Sequence, residues 1–219
     1  MSVFLVVIAD VINSRILRDK ADISERLRVV NGEAQSGLLV PFKCLRGDEI
    51  EAVLDSGGFV KAVRTLKYRL RPLKLRMGLG LGTLDTEGAL PDDPFALNGE
   101  AFFAARKALD SINGSKGEQE TIALCVQGAG SGADIETWNM VLRLYCSVLG
   151  RWNDAQWDAV MEYERQGVIS GAADRLGRLY QSVQRSLGRA RWDAVSDCEA
   201  WMARRMAELA DAVSAAGGR

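Results

Sequence analysis

Hydrophobic positions along this chain follow two regimes. In the first, short apolar runs alternate with stretches of helical period. Val3 to Ala9 is unbroken, β-branched and of strand length, which predicts a buried strand closed by Asp10. From Asp19 to Leu38, the residues Ile23, Leu27, Val30 and Ala34 recur at helical spacing, with Asp22 and Glu25 near the start. Val40 to Leu45 and Ile50 to Leu54 predict a hairpin that turns at Arg46-Gly47-Asp48-Glu49. Gly57-Gly58 opens a helix from Phe59 to Leu70, and Pro72 stops it. Leu75 to Gly82 then alternates, with glycine at 78, 80 and 82 between large residues. That predicts a strand with one packed face and one bare face. At Gly80 the bare face admits a flat ligand, another backbone or a closely packed helix. A loop rich in Asp, Pro and Gly runs from Thr83 to Asn98. A helix over Glu100 to Ile112 and a strand over Thr121 to Val126 follow.

Past the flexible stretch Gly128-Ala129-Gly130-Ser131-Gly132 the strand signal disappears. Ile135 to Gly150 carries Trp138, Val141, Leu142, Tyr145 and Leu149 on one helical face. Asp154 to Gln166 is a helix capped by Asn153, and Ser170 to Leu176 is a second, ended by Gly177. Gln181 to Val195 is a third, either running on towards Ala207 or breaking near Ser196. The expected organisation is an α+β domain over 1–128 and an all-helical domain over 135–219.

Composition narrows the chemistry. Nearly half of the 219 residues are hydrophobic, enough for a real core in each part. The net charge of −1 neither favours nor excludes nucleic acid, but Arg175, Arg178, Arg185, Arg189 and Arg191 crowd one segment of the tail. Histidine is absent, which removes His-based catalytic triads and His-ligated zinc. Any metal must then use oxygen ligands, or less readily thiolates. Cys44, Cys125, Cys146 and Cys198 are scattered and read as reduced thiols. The Val3–Ala9 run is too short to span a bilayer and lacks the flanks of a signal peptide. A cytoplasmic protein without a membrane partner is expected.

Two places carry candidate chemistry. Asp10 ends one strand and Asp48-Glu49 sits in a hairpin turn. If the strands are neighbours, the carboxylates converge at one sheet edge, where like charges repel unless a cation lies between them. Such an edge suits Mg²⁺ or Mn²⁺ and nucleotide phosphates. Singly, Asp10 reads as a cap after a strand and Asp48-Glu49 as ordinary turn formers. Only their conjunction carries the metal reading. The second place is Gly171 to Ala190. Ala173 lets two helices cross closely, Gly177 permits the turn, and Val183 and Leu187 pack the second helix on the first. The face left over holds Gln181, Ser182, Gln184, Arg185 and Arg189, side chains suited to base edges and phosphates. The alternatives are a plain helical hairpin with a solvated basic face, or a dimerisation element. Trp152, Trp157, Trp192 and Trp201 read as packing anchors.

Ala9-Asp10-Val11-Ile12-Asn13-Ser14-Arg15, Arg46-Gly47-Asp48-Glu49-Ile50-Glu51, Met77 to Gly82 and Gly99-Glu100-Ala101-Phe102-Phe103-Ala104-Ala105-Arg106 together resemble the bacterial SatD family. The likeness covers most of the chain, including the tail helix pair. The motif order is also similar to class III nucleotidyl cyclases and diguanylate-cyclase domains. The resemblance implies a ferredoxin-like, palm-type sandwich followed by an all-α helix-turn-helix domain, and a homodimer. It implies metal ligands at Asp10, Asp48 and Glu49, and nucleotide contacts at Asn98 and Arg106 beside Arg46, Gly47 and Gly80. One departure is Arg46, which stands where the cyclase turn has its first glycine. A guanidinium there suits a phosphate, or pairs with the acids in place of a metal. Three function classes remain: a nucleotide- or metal-responsive DNA-binding regulator, a two-metal nucleotidyltransferase or cyclase, and a protein-interaction module.

Overall fold

The first apolar run forms β1 (Phe4–Val11), whose inner residues are buried on both faces. In the computed structural model, residues 2–12, 20–44, 48–86, 88–113, 120–127 and 132–216 are described. After β1 come α1 (Lys20–Glu33), β2 (Leu38–Cys44), β3 (Glu49–Leu54), α2 (Phe59–Leu70), β4 (Leu75–Gly82), α3 (Glu100–Asn113) and β5 (Thr121–Val126). Five helices complete the described chain after α3: α4 (Gly132–Leu149), α5 (Asp154–Gln166), α6 (Ile169–Leu176), α7 (Tyr180–Ala190) and α8 (Trp192–Ala216). This is a mixed α+β fold. No helix among the described residues is long and apolar enough to cross a membrane.

The strands form one five-stranded sheet in the order β2-β3-β1-β4-β5. β1 is antiparallel to both β3 and β4, and β2 is antiparallel to β3. Only β5 runs parallel to its neighbour, β4. Successive side chains alternate between faces, so Val6, Ile8 and Asp10 of β1 share a face with Glu49, Glu51 and Val53 of β3. Arg76, Gly78 and Gly80 of β4 join them. Val6, Ile8, Val40 and Val53 pack with Ala101, Phe102, Ala105 and Leu109 of α3 as one core cluster. Leu5, Val7 and Ala9 point the other way and are also fully buried.

The glycines of β4 explain how α3 reaches this sheet. A Cβ on Gly80 would lie 2.1 Å from the Ala101 carbonyl oxygen and 2.2 Å from the Ala105 nitrogen. On Gly78 it would lie 2.1 Å from the Ala105 carbonyl oxygen. These are backbone atoms of a helix, which no rotamer change moves aside. The bare strand face is therefore filled by α3, and the alanines at 101, 104, 105 and 108 keep the helix surface equally low. The expectation of a nucleotide against Gly80 is corrected: the close neighbour is a helix backbone, and no space for a base remains.

Each edge strand has one residue whose peptide groups are occupied by the same device. Asn31 of α1 donates its amide to the Phe42 carbonyl at 3.0 Å and accepts the Phe42 N–H at 2.8 Å. At the opposite edge, Asn139 of α4 donates to the Leu124 carbonyl at 3.1 Å and accepts the Leu124 N–H at 2.7 Å. Each side-chain amide supplies the donor and acceptor that a further strand would offer.

The chain groups into two compact units, Met1–Arg143 with Met202–Arg219, and Leu144–Trp201. The first therefore takes in most of α4 and the end of α8 as well as the sheet. In the second unit, α5, α6 and α7 pack on one another. Asn153 caps α5 with a full capping box, its side chain accepting from Gln156 N–H while Gln156 reaches back. Trp152, Trp157 and Trp192 are buried together, with ring centroids 4.8 and 6.3 Å from Trp152. The expected helix over Gln181 to Val195 needs correction. α7 stops at Ala190, where Arg191 turns left-handed at φ 55°, and α8 begins at Trp192. The Ala190 carbonyl accepts the Trp152 indole N–H at 3.0 Å. A buried tryptophan thus holds the break in place, together with the Arg191 N–H bonded back to the Gly188 carbonyl at 3.2 Å.

Candidate functional site

Register brings the predicted acids together. Asp10 lies directly opposite Glu49 on β3 and opposite Arg76 on β4. The Asp48 carbonyl accepts the Val11 N–H at 3.1 Å, which ties the end of β1 to the start of β3. Glu51 follows Glu49 by two residues on the same strand, so both carboxylates rise on the face that carries α3.

Arg106 of α3 meets them there. Its Nη1 donates to Glu49 Oε2 at 2.6 Å, and its Nη2 stands 3.6 Å from Glu51 Oε1. The surroundings of the two glutamates differ sharply. The Glu49 side chain is 27% exposed, whereas that of Glu51 is only 9% exposed. Burial pushes the Glu51 carboxyl up to about 7; the Glu49 carboxylate adds to that, and Arg106 opposes it. Glu49, Glu51 and Asp10 all hold Arg106 in its charged form, Glu49 most strongly. On the other side of Glu51, its register partner Lys43 directs its ammonium to within 3.6 Å of Asp93.

The cation at this edge is thus a guanidinium. Among the described residues no three Asp, Glu, Cys or His side chains come together as an ion-binding group. The set Asp10, Asp48 and Glu49 does not present a preformed metal centre, because Arg106 already neutralises Glu49. Arg46 and Gly47 lie outside the described residues, as do Asn13, Ser14 and Arg15. Asn98 is placed elsewhere. Its backbone carbonyl accepts the Asp85 N–H beyond the end of β4, and its side chain accepts from Gly99 N–H. Gly82 pairs with Phe4 and Arg76 with Asp10, so Asn98 sits beyond the far end of the sheet from the acids, on the order of 20 Å along the strand. It does not join Arg106 in one site. Glu51 is the residue that sequence reasoning missed. Its signal was a second acid two residues after Glu49, on the same face of a strand that is apolar at its other positions.

The second candidate surface lies on α7. Gly177, left-handed at φ 61°, ends α6 by donating its N–H to the carbonyls of Ala173 and Asp174. Ala172 and Ala173 of α6 are buried. Arg178 clamps the turn to α5, donating to Asp158 at 2.9 Å and to the Ala155 carbonyl at 3.3 Å. Val183, Leu187 and Ala190 bury one side of α7, while Gln181, Ser182, Gln184, Arg185 and Arg189 are exposed on the other. α7 contains no acidic residue, and neither Arg185 nor Arg189 makes an ion pair among the described residues.

Comparison with known proteins gives two findings. The model of the SatD family matches residues 4–166. A crystal structure described as a regulator of polyketide synthase expression from Bifidobacterium adolescentis is similar over 96% of this chain and 86% of that one. Its identity is 14% and its TM-score 0.31. No curated protein matches the chain.

Proposed function

The chain belongs to the SatD family, and from that premise we propose that it is a DNA-binding regulatory protein whose sheet domain senses a ligand. The observation that carries the proposal is the division of α7 into a buried side and an exposed side of glutamine, serine and arginine. With α6 and the Gly177 turn, α7 has the build of a helix-turn-helix recognition helix. Gln181 and Ser182 lie at its start, where base contacts fall in this motif. Arg185 and Arg189 share a face further along, and in this reading Arg189 contacts phosphate. A two-fold dimer of such units would read a palindromic site.

The test is an anisotropy titration of the full chain on its own upstream DNA and on a scrambled duplex at several salt concentrations. Arg189→Ala is expected to weaken binding to both duplexes and to flatten the salt slope by about one unit. Gln181→Ala is expected to relax the preference for the upstream site and leave non-specific affinity almost unchanged. Absence of binding to either duplex at low salt would remove the regulator reading and leave the helix pair as a packing element.

For the sheet domain, the order β2-β3-β1-β4 with α1 and α2 as crossovers supports a ferredoxin-like, palm-type reading. In this proposal the input is a nucleotide, whose phosphates draw Arg106 away from Glu49; the carboxylate so released joins Asp10 and Asp48 in offering oxygen atoms to Mg²⁺ or Mn²⁺. A nucleotide with Mn²⁺ is then expected to raise the melting temperature by mass action. Asp10→Asn combined with Asp48→Asn is expected to abolish that rise. An equal rise in both proteins, or none in the wild type, removes the sensing role.

A further inference from the structure

Two bulky apolar side chains stand in the open at the start of α7. Leu179, the N-cap residue, is 76% exposed and Tyr180, the first helical residue, 46% exposed. On the same helix Val183 and Leu187 are buried, so the fold had core positions for apolar residues here and left these two outside. The cap itself gains nothing from Leu179, whose side chain has no hydrogen-bonding group.

What covers them is narrowed by their neighbours. Gln181, Ser182, Gln184, Arg185 and Arg189 are exposed on the same short helix, and the helix carries no acid. An apolar protein surface seated on Leu179 and Tyr180 would bring the uncompensated Arg185, under two turns further along, to its rim. Duplex DNA resolves the conflict, since it offers phosphates along the rim of the major groove and an apolar spot within it, the 5-methyl group of thymine. Resting on the DNA-binding reading above, we infer that Leu179 and Tyr180 pack on thymine methyl groups. The preferred sites then carry T at the base pairs facing the start of α7, and the two apolar residues help set sequence preference beside the polar contacts of Gln181 and Ser182.

Thymine differs from uracil by that methyl group alone, which makes the inference testable. Duplexes are selected from a random pool with the full chain, and the selected sites are resynthesised with deoxyuridine in place of single thymidines. At the thymine facing α7, loss of the methyl is expected to weaken binding about fourfold, the factor equivalent to roughly 0.8 kcal/mol for one buried methyl. The variant Leu179→Ser with Tyr180→Ser alters only exposed positions. It is expected to keep its melting temperature and to bind the thymine and uracil duplexes alike. Equal affinity of the wild type for both duplexes at every position overturns the inference and leaves DNA binding standing. So does a variant that still discriminates. A variant that changes oligomeric state in sedimentation while keeping discrimination assigns the two residues to a protein contact and also overturns it. A chain that selects no duplex at all overturns the inference together with the DNA-binding reading.

Discussion

Gly80→Val is expected to destabilise the sheet domain by about 3 kcal/mol or more, at or beyond the upper end of ordinary overpacking. Overpacking is usually relieved by side chains moving off their rotamers. Here the first atom of the new side chain already collides with the Ala101 carbonyl oxygen and the Ala105 nitrogen. Relief requires α3 to lift from the sheet, which breaks the cluster of Val6, Ile8, Ala105 and Leu109. It would also draw Arg106 away from Glu49. Urea denaturation measures the loss. Gly32→Ala is the control, since a Cβ there, in the last turn of α1, meets nothing within 4 Å. That change is expected to stabilise slightly, by about 0.5–1 kcal/mol. Wild-type stability in Gly80→Val would show that α3 does not sit against the strand.

Glu51→Gln is expected to stabilise the protein at pH 8 by up to about 3 kcal/mol and to change little at pH 4. The folded carboxyl titrates near 7, whereas its ordinary value is 4.5. Between those values the native state holds a proton that the unfolded chain has released, so stability falls as pH rises through this window. A difference of about 2.5 pH units corresponds to roughly 3 kcal/mol, fully lost above pH 7. Glutamine is the neutral isostere at every pH, and its amide can still donate to Glu49. The measurement is the urea midpoint of both proteins from pH 4 to 8. Parallel curves would show that Glu51 ionises normally and that its burial costs nothing. Under the expected outcome, the charge of the carboxylate edge changes within the range of ordinary solution pH.

Much of the architecture was legible in the sequence, and the reason differs from place to place. β4 was readable because its glycines alternate with large residues, a pattern only a strand produces. α5 was readable from its cap, because Asn153 and Gln156 satisfy each other within one turn. The convergence of Asp10 with Glu49 followed from two strands ending at one edge. The partner of those acids did not. Arg106 lies 57 residues from Glu49, and only the tight seating of α3 on the glycine face brings its guanidinium to that edge. Asn98 shows the converse. It precedes the same helix as Arg106, yet the helix axis carries the two to opposite ends of the sheet. The break at Arg191 was also invisible, since nothing in the residue favours a left-handed turn and its support comes from Trp152, far back in the chain.

Asn31 and Asn139 have a bearing on how copies of this chain can meet. An incoming strand at either edge would find the Phe42 or Leu124 peptide groups already bonded. It would exchange two hydrogen bonds for two and gain nothing at that register point. Extension of the sheet from copy to copy, and capture of a peptide as a sixth strand, are both disfavoured for that reason. Symmetric pairing through helix surfaces meets no such obstacle, because their side chains can be tuned without disturbing the sheet.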